Sequence, residues 1–114
     1  MDESTIIALH EIANAIGTIG AWTAGMDLDD FREYPTVAEA VSDKVLSISH
    51  AAIRLGGAAE SWCPGIQWRE IRGLGNWLSQ EHEWAWLRAV WHTVRVDLPP
   101  LRAAIARALL TKRP

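Results

Sequence analysis

Cysteine is almost missing from this chain: Cys63 stands alone among 114 residues. A lone thiol closes no internal disulfide and excludes a metal cluster built on several cysteines. It fits a reducing compartment, so the expected location is cytoplasmic. Long apolar runs are missing too. None approaches the ~20 residues a bilayer crossing requires, and no membrane contact is expected. The opening MDESTIIALH is acidic and has no basic region before its short apolar stretch, unlike a secretory leader. There is no basic excess. Eleven Lys and Arg face 14 Asp and Glu, for a net charge of −3. That balance argues against general nucleic-acid binding, but leaves room for the local cationic pocket that an RNA-cutting site needs. No segment alternates apolar and polar residues as a strand does. Phe and Tyr occur once each, against seven Trp. Tryptophan buries a large area and is enriched at interface anchors, so the Trp set serves either a core or a subunit interface.

What is present is helical periodicity. Ile6, Leu9, Ile12, Ile16 and Ile19 recur at threes and fours, which predicts a helix over 4–20 with Ser4 as its cap and Gly20 near its end. TAGMDLDDF breaks the pattern. Gly25 permits a turn, and Asp27 is placed to cap a short helical turn carrying Leu28 and Phe31. Pro35 starts a second long helix along Val37, Val41, Val45, Ile48, Ala52 and Leu55, which ends at Gly56-Gly57. AAESWCPGI reads as a connection. A third helix spans about 67–79, with Ile71, Leu74 and Leu78 on one side. Its Gly73 and Gly75 predict close backbone approach by another helix, a second subunit or a ligand. Trp84, Leu87, Trp91 and Val94 begin a fourth helix, and VDLPPL interrupts it. Asp97 is the expected cap of a last helix that carries Leu101, Ile105, Ala108 and Leu109. The fold class is all-α: an antiparallel bundle of four to five helices in a single domain, 1–114, long enough to bury roughly two-thirds of its unfolded surface.

The candidate site is RGLGNWLSQEHEW, where Arg72, Asn76, Gln80 and His82 cluster between Trp-rich apolar stretches. No two of His10, His50, His82 and His92 sit four apart on one helix, so no zinc site is expected. His10 and His92 read as solvated. His50, beside the apolar face of its helix, reads as partly buried with a hydrogen-bond partner. The G-x-G of RGLGN follows no strand and signals no phosphate loop. Asp29 with Asp30, and Glu81 with Glu83, read as solvated faces rather than acid–base pairs. No cofactor is expected.

LHEIANAI, WTAGMDLDDF, AVSDKVLSISHAAIRL, CPGIQWREIRGLGNWL and VWHTVRVDLPPLRAAI follow one another in a characteristic order. Together they resemble the HepT-like branch of the HEPN family, over residues 9 to 109. The resemblance implies a helical domain forming a twofold homodimer. It implies a ribonuclease toxin encoded beside a minimal nucleotidyltransferase (MNT) antitoxin, with RNA as substrate. The family's motif pairs an Arg, often beside an Asn, with a His a short spacer later. A Tyr two residues on is what the antitoxin modifies with adenylate. The His serves in proton transfer and the Arg holds phosphate or developing charge.

Carried onto this chain, Asn76 matches the motif Asn. Gly75, or Ser79 in a related variant of the motif, stands where the Arg belongs. Gln80 replaces the His and His82 replaces the Tyr. Arg72 is the Arg of R-G-L-G-N, not the usual motif Arg. Ser49-His50-Ala51 puts a histidine where the family often carries Glu. An amide cannot donate and recover a proton near neutral pH as imidazole does, so RNA cleavage is expected to be weakened or lost. Rescue by His82 requires a loop there, since two residues along a helix turn a side chain ~200° away, and rescue by His50 requires its helix to border the site at that level. The alternative is a non-catalytic helical dimer that binds a nucleotide or a nucleotidyltransferase partner.

Overall fold

A computed structural model describes residues 1–78 and 83–111, and the side chains of all of these except 76–78, 83 and 84. The described residues are all-α, with α1 Glu3–Thr23, α2 Leu28–Glu33, α3 Pro35–Leu55, α4 Gly57–Trp62, α5 Trp68–Leu78, α6 Glu83–His92 and α7 Leu98–Leu110. The long helices follow the periodic segments of the sequence, and α2 and α4 are short additions between them. Among the described residues no helix is long and apolar enough to cross a membrane.

α1 begins one turn earlier than its apolar stripe suggests. Asp2, not Ser4, is the N-cap: its carboxylate accepts the Thr5 N–H at 2.9 Å and the Ser4 hydroxyl at 3.1 Å. A carboxylate carries more negative charge to the helix's positive end than a hydroxyl does. Leu9, Ile12, Ile16 and Ile19 are buried as their spacing requires, and each such side chain contributes roughly 1.5–3 kcal/mol. α2 is held by a capping box in which Asp27 and Asp30 each accept the other's backbone N–H, at 2.8 and 3.1 Å. Its Phe31 is fully buried and meets the Trp91 ring at 5.0 Å between centroids.

α3 is the central helix and packs on α1, α2, α4, α5 and α6. Pro35 occupies its first turn, and Val41, Val45, Ile48, Ala52 and Leu55 are buried. It stops at Gly56, whose φ of +54° is a conformation glycine adopts without strain. The segment after it is not a plain connection. Gly57–Trp62 forms α4, a helix too short to show a period in sequence, with only Ala59 fully buried.

The long helices pair antiparallel. Glu11, early in α1, pairs with Arg54, late in α3. Ser49 and Ala52 of α3 bond to Arg72 of α5, and Leu46 faces Gly75. Late α1 meets early α7 with Gly17 against Arg102, and Thr23 bonds to Arg95 just ahead of α7.

Between α6 and α7 the chain does not break. Thr93–Asp97 is a stretch of π-helix, with the Leu98 N–H donating to the Thr93 carbonyl. Asp97 keeps helical dihedrals and makes no side-chain cap bond, contrary to the expected cap. The prolines explain the wide turn. Pro99 and Pro100 have no N–H to offer, and in a regular helix their rings would press on the carbonyls one turn back.

Candidate functional site

α5 carries the first half of the polar stretch. The helix is anchored at its start by Trp68, whose ring is 2 % exposed and whose Nε1–H donates to the Cys63 carbonyl at 2.9 Å. Ile71 is buried and Leu74 half-buried against α3. One turn of α5 approaches α3 closely. The Ser49 hydroxyl, fully buried, donates to the Arg72 carbonyl at 2.9 Å. A Cβ added to Gly75 would stand 3.3 Å from Leu46 Cδ1 and 3.8 Å from Ser49 Oγ. Gly75 therefore marks the close approach its sequence context predicts. Gly73 does not: a Cβ there meets nothing within 4 Å among the described residues.

Arg72 is committed to the scaffold. Its Nε donates to the Ala52 carbonyl at 3.3 Å, and Nη2 donates to the Gly56 carbonyl at 2.8 Å. Nη1 and Nη2 both engage the Glu60 carboxylate, Nη1 at 3.2 Å. Four bonds leave one of the guanidinium's five N–H groups to spare. The Glu60 carboxyl is held below its ordinary range, chiefly by its hydrogen bond to Arg72. This fork closes the C-terminal end of α3, where carbonyls lack helical partners, and ties α4 and α5 to it. Nothing in sequence signals Glu60 as a partner, since AAES lacks both period and motif.

Of the remaining positions in the stretch, Asn76 belongs to α5, but its side chain lies outside the described residues. Ser79, Gln80 and His82 lie entirely outside them. His50 is exposed on α3, not partly buried, with its neighbours Ser49 and Ala51 turned into the core instead. Ser49 contacts α5 at Arg72, so α3 borders α5 at that turn, and His50 lies next to it. His10 lies exposed on α1 and His92 at the end of α6, its Nδ1 3.8 Å from Asp97 Oδ2. Among the described residues no three His, Cys, Asp or Glu side chains are grouped to hold a metal.

A second arginine latch was also missed in sequence. Arg95 Nη2 donates to the carbonyls of Thr23, at 3.1 Å, and Met26, at 2.6 Å, and the guanidinium lies 4.4 Å from the Trp91 ring centroid. The TAGMD turn and the VWHTVRVDLPPL segment, far apart in the chain, are thereby held together.

Comparison with protein-family models gives a match over residues 12–108 to the family described as Ribonuclease HepT-like. No solved structure matches the chain.

Proposed function

The chain belongs to the HepT-like ribonuclease family, and from that premise we propose that it is the toxin-type member of a two-gene pair whose RNA-cleaving motif has weakened or lost its chemistry. The observation that carries this reading is the state of the arginine nearest the motif. Arg72 is bound into the α3–α4–α5 junction, so it is not available to grip a phosphate without dismantling that junction. The rest of the motif offers no replacement in residue type. Gly75 and Ser79 carry no charge, and Gln80 is no proton shuttle. His82 stands where a modifiable Tyr hydroxyl belongs.

In this reading residues 1–114 act as one domain in a twofold dimer, with an MNT-type antitoxin as partner. Arg72 has a structural role, and Asn76, Gln80 and His82 mark a degenerate site. His50 adjoins Ser49, which contacts α5 at Arg72, and is therefore the control for residual cleavage.

The test compares the purified parent, the triple variant Ser79→Arg, Gln80→His, His82→Tyr, and His50→Ala on a structured RNA. The parent is expected to cleave at background and the triple variant well above it. Strong cleavage by the parent that disappears with Gln80→Ala alone overturns the reading. Cleavage that disappears with His50→Ala moves the site to α3.

A further inference from the structure

α1 and α7 leave an open groove of about 500 Å³ between them. The buried side chains of Ile16, Ile19 and Leu98 underlie it as an apolar floor, and its walls are the small exposed residues Gly20, Ala103 and Ala106. Two guanidinium groups edge it, Arg95 and Arg102, and no carboxylate among the described residues lines it. The chain as a whole has more acid than base, so an edge of one sign is a local departure. Arg95 is latched through Nη2 to two neutral carbonyls. Arg102 forms no ion pair among the described residues. Its guanidinium rests on bare α1 backbone, with Nη2 3.2 Å from where a Gly17 Cβ would be. It is solvent-exposed, so it stands free at little cost and offers a recognition charge at the mouth of an apolar trough.

We propose that this groove binds a small apolar-bodied anion: an aliphatic or aromatic acid whose carboxylate or phosphate head pairs with Arg102 while its body lies on Ile16, Ile19 and Leu98. The volume lies inside the ~300–1,000 Å³ span of small-molecule sites, and the lining has their usual makeup of apolar wall with few charged groups. A protein helix fits less well. The α1 wall runs from Ile16 to Thr23, on the order of 10 Å, too short for the ~800 Å² per partner of a stable protein interface. The proposal does not depend on the ribonuclease reading.

The experiment titrates the full chain with octanoate, octyl phosphate and octanol, following the methyl resonances of Ile16, Ile19 and Leu98. One or both anions are expected to give saturable shifts, with octanol about tenfold weaker, as one charge-assisted hydrogen bond implies. The ratio of the two anions distinguishes a carboxylate ligand from a phosphate one. Arg102→Met should bring the anions down to the octanol level and leave octanol unchanged. Ala106→Trp should fill the groove and remove binding of all three. If Ala106→Trp misfolds, Arg102→Met decides alone, because its side chain is exposed. Equal binding of octanol and both anions, anion binding that survives Arg102→Met, or shifts confined to other methyls overturns the proposal.

Discussion

Arg72 of α5 and Glu60 of α4 form a two-pronged ion pair, and the same guanidinium reaches the Ala52 and Gly56 carbonyls at the end of α3. One side chain thus joins three helices. Arg72→Ala should cost about 2 kcal/mol, after discounting for its quarter exposure. In thermal unfolding that is a fall of roughly 10 °C. Arg72→Lys should recover less than half, because an ammonium cannot fork. An unchanged melting temperature in Arg72→Ala would show that the fork contributes nothing.

Acid should weaken the same junction. The Glu60 carboxyl is depressed below its ordinary value by Arg72, so its contribution is fully present above the ordinary glutamate range. It disappears as pH falls through the lower folded value. Denaturant titrations of Glu60→Gln against the parent should differ at neutral pH and converge as pH falls through the depressed folded value. A constant difference across that range would contradict the linkage.

Arg95→Met should loosen the TAGMD turn. It removes two hydrogen bonds to carbonyls and a cation–π contact, about 1–2 kcal/mol together at an exposed site. Amide exchange at residues 24–27 should accelerate before exchange in α3 changes. Uniform acceleration would place the loss elsewhere.

The helical glycines should divide by their surroundings. Gly20→Ala and Gly73→Ala meet nothing within 4 Å among the described residues and should each stabilise by about 0.5–1 kcal/mol. Gly75→Ala presses Leu46 Cδ1 and should gain less or lose. Denaturation midpoints measure the order, and Gly75→Ala ranking first would refute the close approach.

Burial pushes the Cys63 thiol up, with the charge of Arg107 offsetting part of the rise. Alkylation of the folded chain at neutral pH should therefore be far slower than after unfolding. Equal rates would mean that the α4–α5 connection opens freely.

The apolar faces were legible because burial and helical period act on the same residues: Leu9, Ile12, Ile16 and Ile19 on α1, and Val41, Val45 and Ile48 on α3, are all buried. Asp27 and Gly56 were legible because caps and stops are local chemistry. The arginine latches were not. Arg72 reaches 12 to 20 positions along the chain and Arg95 up to 72, and no short pattern encodes such reach. α4 is too short for a period, and the prolines that suggested a break instead produced a widened turn. His50 is exposed although it adjoins the apolar face of its helix, because one residue along a helix turns a side chain ~100° away from buried Ser49 and Ala51. The bonds of Arg72 to Ala52, Gly56 and Glu60 were equally hidden, because its sequence surroundings, RGLGN, name none of these partners.

The Arg95 latch has a wider consequence. The word-like pieces by which this chain declares its kinship, the TAGMD turn and the tryptophan–proline ending, are pieces that clasp one another. Kinship read from them certifies a shared chassis. A member that had discarded catalysis would have no structural reason to lose those words, so a census taken by these signatures would not separate the silent from the active.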